Sequence, residues 1–325
     1  CRAHKGNLNH LVLNRGFQIL ELKAPFKSKV IDKSNVIKDD YSDWLGVSID
    51  QDVHETIMAI GSEKPDWLIV DHYSLDFSWE KQVRPFVKKI MVIDDQANRK
   101  HDCNLLLDQN WFENMEYRYD ELISGDSEKL FGPRYALLQP AFFLERKKKE
   151  KVSSAVNRIF IYFGGSDPYN LTGLVLHALS SKEFDHLLID VVVGENNMHL
   201  DKLKNIVSYR KNTHLFIQID QMAAIMSKAD LAIGAGGVNT WERMCLRLPS
   251  LVISFSENHQ VLLGDLAKNK FVDYLGSVHE IHETKIKNSI INMIHKISNQ
   301  LEKDNSMFEL VDGLGSKRVR KKLYE

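Results

Sequence analysis

The sequence predicts an α/β protein made of two doubly wound, Rossmann-like domains. Three observations carry that expectation. Short apolar runs alternate with segments of helical spacing along most of the chain, the pattern of a parallel sheet covered on both faces. The 325 residues exceed what one ordinary hydrophobic core serves. The alternation also breaks once, between Phe131 and Lys151, where Gly132-Pro133, Pro140 and the basic run Arg146 to Lys151 fall, and it restarts at Arg158. The expected domains are residues 1–150 and 151–325.

In the first half, a helix begins near Asn7, and Phe17 to Leu22 reads as a strand. Asp50 to Glu63 has helical periodicity, and Pro65 punctuates before the apolar strand Trp67 to Val70. Phe77 to Val87 is helical, and Lys89–Ile93 and Asn104–Leu107 are two further strands. In the second half, strands are expected at Ile159–Phe163, Leu187–Val193, His214–Ile219, Leu231–Ile233 and Leu251–Ser254. The helices between them span Leu171–Ser181, His199–Tyr209, Met222–Lys228, Val238–Leu248 and Val261–Lys268, with a long one over Glu283–Glu302. In such sheets ligands bind outside the carboxyl ends of the strands.

Composition excludes several functions. With 43 basic and 44 acidic residues the net charge is -1, so no whole-chain field attracts nucleic acid. The two basic runs, Arg146–Lys151 and Lys317–Lys322, read as solvated linker or helix faces. Cys1, Cys103 and Cys245 are far apart and form no CxxC pair, which argues against a zinc site or a disulfide scaffold. No apolar run reaches the length of a membrane span and no stretch resembles a signal peptide, so the cytoplasm is the expected compartment and no membrane partner is expected.

The chemistry-bearing stretches sit where strands end. Leu231–Ile233 runs into Gly234-Ala-Gly-Gly237 and then a helix, a turn in which a ligand can approach the backbone and meet the free N–H groups of a first helical turn. Glu242, about one turn in, is placed to accept hydrogen bonds from hydroxyls beside a bound phosphate. A second such turn, Gly164-Gly165-Ser166-Asp167 to Asn170, ends the strand Ile159–Phe163. Two helix N-termini on one sheet edge can hold a diphosphate without lysines or metal. Neither turn has the Gly-Lys-Ser/Thr of a Walker loop or the GxGxxG of a dinucleotide fold. Glu257-Asn258-His259-Gln260 follows the next strand as a turn that brings amide side chains to the same edge.

In the first half, Asp71-His72-Tyr73 closes the strand Trp67–Val70, with Asp71 and Tyr73 on one side and His72 on the other. His72 or Tyr73 at a cleft edge can help activate water or a leaving group, and a structural histidine is the competing reading. Asp94-Asp95 closes the next strand without a third ligand at metal-binding spacing, so neither metal nor cofactor is expected.

Several motifs in this order resemble a known family: Trp44 to Ser48, Asp71 to Tyr73, Ile93 to Asp95, His101 to Cys103, Leu107 to Asn110, Gly132 to Tyr135, Phe163 to Asp167, Gly234 to Gly237 with Thr240 to Arg243, and Val311 to Gly315. They are similar to the bacterial hydrolases that release 2,4-diacetamido-2,4,6-trideoxy-β-L-altropyranose from its UDP conjugate in pseudaminic acid biosynthesis. The wider relatives are the MurG-like N-acetylglucosaminyl transferases of peptidoglycan synthesis. The resemblance implies a GT-B fold, two Rossmann-like domains facing a central cleft, and metal-free attack of water on the anomeric carbon with inversion and loss of UDP. It implies that Gly164, Gly165, Ser166, Asp167, Gly236 and Gly237 surround the diphosphate and that Glu242 meets the ribose. The backbone near Ile219 would face uracil, Asn170 and Asn258 the phosphate or sugar, with Gln260 or His259 in the family's Gln role, and Tyr73 would line the catalytic pocket. The family's opening strand and Gly-His loop, which carries the expected general base, have no counterpart after Cys1. His72 is the possible stand-in, and a UDP-binding fragment without activity is an alternative, as is a glycosyltransferase.

Overall fold

The computed structural model describes residues 2, 7–23, 41, 44–149, 154–255, 257–299 and 309–325. The side chains of Glu257 and Asn258 lie outside that description, so the expectation for Asn258 is left with its backbone alone. The chain divides into two compact units, residues 1–108 with 114–131, and residues 109–113 with 132–325.

The first unit carries a four-stranded parallel sheet in the order β1 (Trp67–Val70), β2 (Lys89–Ile93), β3 (Leu105–Asp108), β4 (Glu128–Phe131). Helices α1 (Asn9–Leu13), α2 (Ile49–Ile60) and α3 (Phe77–Val83) belong to it, and a 3-10 turn over Arg84–Phe86 continues α3. Pro85 in that turn is why the predicted helix to Val87 stops early, since proline removes a helical donor. Ser48 and Asp76 cap α2 and α3 by accepting the N–H groups of Gln51 and Ser78. The core holds Val53, Trp79, Val83, Ile90, Leu106 and Tyr119. Among its buried polar pairs, the Trp79 indole donates to Asp52 at 3.0 Å, and His101 Nδ1 lies 2.7 Å from Glu80. The strand expected over Phe17–Leu22 does not form. Leu22 makes one isolated bridge with Arg2, and Phe17 and Leu20 stay exposed because no ladder lies beside them among the described residues.

The second unit carries six parallel strands in the order β10-β9-β8-β5-β6-β7, with β5 (Arg158–Tyr162), β6 (Leu188–Val193), β7 (Thr213–Ile217), β8 (Leu231–Ala235), β9 (Ser250–Ser254) and β10 (Asp273–Ser277). Its helices are α4 (Pro140–Lys148), α5 (Leu171–Ala178), α6 (Leu200–Tyr209), α7 (Met222–Met226), α8 (Val238–Cys245), α9 (Glu257–Lys268), α10 (Glu283–Asn299) and α11 (Gly315–Tyr324). Alternate residues of the strands, Ile159 and Ile161, Ile189 and Val191, Leu231 and Ile233, pack with Val175 of α5, Leu203 of α6 and Ile286 and Ile290 of α10.

The stretch read as a linker after Gly132 is part of the second unit. Pro140 opens α4 at the one helical position where its missing N–H costs nothing. Arg146 is buried and donates to the carbonyl of Cys245 at 2.8 Å, a cation at the C-terminal end of α8 rather than a solvated linker charge. The 257–260 stretch, expected as a turn, is the first turn of α9.

Candidate functional site

The strand order of the second unit fixes where a ligand can sit. From β5 the chain proceeds outward through β6 to β7, then returns to lay β8 on the other side of β5, followed by β9 and β10. The connections after β5 and β8 therefore leave the sheet in opposite directions and open a crevice at their carboxyl ends, the topological switch point of an α/β sheet. Tyr162 and Gly234 are register partners there, so the two glycine-rich turns expected from the sequence start side by side. Across this edge the connecting loops follow in order: His259 and Gln260 after β9, Gly236 and Gly237 after β8, Gly164 to Asn170 after β5, Gly194 after β6, and Ile219 after β7. At about 4.8 Å per strand, the Ile219 loop stands roughly 10 Å from the β5 turn.

The two turns are built differently. Gly237 is the N-cap of α8 at φ +88°, a backbone that a side chain would strain, and no side chain caps the helix. The N-terminus of α8 is thus left for an outside acceptor. At α5 the arrangement is the reverse. Asp167 is fully buried, and its two carboxylate oxygens accept the N–H groups of Leu171 at 3.0 Å and Thr172 at 2.8 Å. The first-turn donors expected to meet a diphosphate are occupied by the protein's own anion, and Asp167 serves α5. An Asp167→Ala variant should lose about 2 kcal/mol of stability, since two buried donors lose their acceptor. Urea unfolding checks this, and an unchanged midpoint would exclude the capping role.

Among the described residues, the buried side-chain oxygens without a partner include two carbonyl-type acceptors at this edge. One is Oδ1 of Asn170, held in a left-handed conformation at φ +54°, with its amide group packed where Gly173 has no side chain. The other is Oε2 of Glu242. Burial raises the Glu242 pKa from 4.5 to about 7, and the neighbouring Arg243 charge opposes that rise. The Tyr162 hydroxyl is pushed upward by burial and then by the Glu242 charge, which places that carboxylate beside the end of β5. A ligand with hydroxyl or amide donors would satisfy both acceptors, while its anionic oxygens face α8.

Three neighbours hold the α8 turn in shape. Arg243 is buried and donates to the carbonyl of Ala235 at 2.8 Å and to Thr240 Oγ1 at 3.1 Å. Trp241 is fully buried and its indole donates to Asn110 Oδ1 at 3.2 Å. The His259 ring lies 3.6 Å from where a Gly237 side chain would begin. Of the expected residues, Gly164, Gly165, Asn170, Gly236, Gly237 and Glu242 share the switch-point edge, Ser166 and Gln260 are exposed on it, and Ile219 lies further along it. His259 was visible in the sequence only as the centre of Asn258-His259-Gln260; nothing in the pattern distinguished it.

In the first unit, Asp71, His72 and Tyr73 follow β1. His72 Nδ1 accepts the Ser74 N–H at 3.1 Å, so the neutral ring carries its proton on Nε2. In that tautomer the ring donates at Nε2 instead of accepting a proton there. Tyr73 stacks among Tyr41 and Trp44, with ring centroids 4.6 and 6.0 Å away. Burial, the Asp95 charge and a hydrogen bond to Asp95 raise its pKa, so the phenol stays neutral. Asp71 is also raised, by desolvation and by Asp95. Asp94 is committed elsewhere: it pairs with Arg99 at 2.7 Å and accepts from Ala97 at 3.0 Å and Tyr119 at 2.9 Å. Among the described residues no group of three or more His, Cys, Asp or Glu side chains could hold a metal, and no helix is long and apolar enough to cross a membrane.

Comparisons with known proteins agree with the second unit's topology. Residues 159–318 match the glycosyltransferase family 28 C-terminal domain. An uncharacterised protein of Methanocaldococcus jannaschii is 31% identical over 248 residues, covering 73% of this chain and 48% of that protein, so the chain spans about half of its length. The UDP-2,4-diacetamido-2,4,6-trideoxy-β-L-altropyranose hydrolase of Campylobacter jejuni is 26% identical over 226 residues, covering 69% of this chain and 79% of that protein. Among solved structures, MurG of Acinetobacter baumannii aligns with a TM-score of 0.55 at 12% identity, covering 99% of this chain and 90% of that one. The fold is that of the GT-B proteins, with two parallel-stranded α/β units.

Proposed function

We propose that this protein acts on a UDP-sugar, and that its reaction is hydrolysis of the anomeric C–O bond of UDP-2,4-diacetamido-2,4,6-trideoxy-β-L-altropyranose. The observation that carries the reading is the switch-point edge: an uncapped α8 N-terminus beside a buried Glu242 oxygen that no protein group satisfies. An anion for the helix and a hydroxyl donor for the carboxylate, about one helical turn apart, describe a diphosphate joined to ribose. The similarity to the Campylobacter hydrolase supports the finer assignment of sugar and reaction.

In this reading the oxygen of water bonds to the anomeric carbon while the bond from that carbon to the diphosphate oxygen breaks. The bonding pair leaves with UDP, and the proton of water passes to a base. The α8 N-terminus stabilises the charge that grows on the departing diphosphate, which is the chief contribution asked of the protein. Asn170 Oδ1 accepts from a sugar hydroxyl or acetamido N–H. In the first unit, Tyr73 offers a neutral hydroxyl. Asp71 and His72 are the titratable groups nearest to it in sequence, and the bond at His72 Nδ1 weighs against His72 as the base.

A second reading, transfer of the sugar to an acceptor, is favoured by the family 28 match over residues 159–318. Incubation with the UDP-sugar in water separates the two. UDP released at the same rate with and without added acceptor supports hydrolysis. Strict dependence on an acceptor would establish transfer and overturn the proposal.

A further inference from the structure

The motif ending in Asn110 has no place in the chemistry above, yet it touches the part of the fold on which that chemistry depends. Residues 109–113 belong to the second unit. Gln109 Oε1 accepts the Leu137 N–H at 2.9 Å, and Trp111 meets Phe271 edge to face at 5.1 Å. Glu113 pairs with Lys268 at 2.8 Å, at the end of α9. At the centre of this segment, the buried Asn110 accepts the indole N–H of Trp241 at 3.2 Å.

Trp241 immediately precedes Glu242 on α8, a helix of eight residues whose N-terminus is the open end of the candidate site. Successive residues of a helix project about 100° apart, so fixing the Trp241 ring fixes the direction of Glu242. A rotation of about 20° would carry a side-chain tip lying 5–6 Å from the axis through roughly 2 Å, enough to break a hydrogen bond to a ligand. Arg243 ties α8 back to the end of its own strand, at Ala235. Arg146 holds the far end of α8 at the Cys245 carbonyl, and Trp241, next to Glu242, is the anchor to a segment distant in sequence. The Trp241 ring is fully buried, and its indole N–H is directed to the Asn110 oxygen.

We propose that Asn110 is a positioning residue: by accepting the Trp241 N–H it sets the rotation of α8, and with it the aim of Glu242 and of the helix N-terminus at a nucleoside diphosphate. The inference rests on the UDP reading of that edge. Asn110 acts through Trp241 and need not touch the ligand.

Titration calorimetry with UDP on the whole chain tests it, using Asn110→Ala, Trp241→Phe and the double variant, with a thermal melt for each. Trp241→Phe removes the indole donor while keeping an aromatic ring in the pocket, and the melt registers the stability lost to the smaller ring. Each single variant should raise the Kd for UDP about tenfold, the scale of one misplaced hydrogen bond, and the double variant should raise it no further, because both changes break one contact. Single variants that melt lower but bind UDP with the wild-type Kd would reduce Asn110 to a structural role and overturn the proposal. Effects that multiply in the double variant would also overturn it, since the residues would then act separately. A wild-type protein that does not bind UDP would instead remove the functional reading on which the proposal stands.

Discussion

Glu242→Gln is expected to make the ligand-free protein more stable above pH 7 while weakening UDP binding by about ten- to a hundredfold. The two effects have one cause. In the free protein the Glu242 carboxyl sits with Oε2 buried and unpartnered, and its pKa is raised from 4.5 to about 7. The raised value means that the folded state holds a proton which the unfolded chain has already released between those two pH values. Stability therefore falls as pH rises from about 4.5 to about 7 and is level outside that window, with a total near 3 kcal/mol for a shift of this size. Glutamine has no proton to lose, so the variant lacks this slope and its advantage is complete above pH 7.

Binding has the opposite sign. A ribose hydroxyl pair donates best to the ionised carboxylate, so UDP binding draws a proton off Glu242 below pH 7 and weakens as the pH falls. The phosphates of UDP titrate as well, but they do so equally in both proteins, and the ratio of the two Kd values isolates Glu242. That ratio should be greatest near pH 8 and shrink toward pH 5. Melts and calorimetric titrations at those two pH values measure both effects. Equal pH slopes of stability in wild type and variant would show that Glu242 is not a buried, unpaired acid.

Which parts of this site were legible in the sequence follows from what each part depends on. The strands β5, β6, β8 and β9 are interior to their sheet and covered on both faces, so they are mostly apolar, Asp190 of β6 being the buried charged exception, and they stand out from their surroundings. The strands β4 and β10 end their sheets and carry Glu128-Lys129 and Asp273, which hid them in a polar background. Pro140 was read as a break because proline ends helices more often than it begins them, yet here it is the first residue of α4. The position of Glu242 could be read because it depends on distance along one helix from one glycine turn. The roles of Asp167, Arg243 and Asn110 depend on which donors and acceptors the fold brings to them. The Asn110–Trp241 bond joins residues 131 positions apart, and no local pattern announces it. The glycines fall between these cases, because their positions were evident and the reasons for them were not.

Those reasons predict different failures at two glycines of the same sheet edge. A methyl group at Gly234 would fall on the carbonyl oxygen of Tyr162, its register partner on β5, with Arg243 Nη1 3.0 Å away on another side. Both strands are central and paired on both edges, so neither can move aside without breaking ladder hydrogen bonds. Gly234→Ala should therefore cost about 3 kcal/mol or more of stability, toward the upper end for an overpacked core. A methyl group at Gly194 would lie 2.7 Å from the carbonyl oxygen of Gly165 and 2.9 Å from its Cα, a comparable overlap. There, however, both partners lie on loops at the carboxyl edge and Gly165 is exposed, so the 164–170 turn can give way toward solvent. Gly194→Ala should cost within about 1 kcal/mol of stability. It should instead raise the Kd for UDP severalfold, because the turn that yields is one wall of the crevice proposed to hold UDP. Urea unfolding and UDP titration of the two variants separate the cases. If Gly194→Ala proved the less stable of the pair while still binding UDP normally, the β5 turn would be part of the rigid core, with no share in the site.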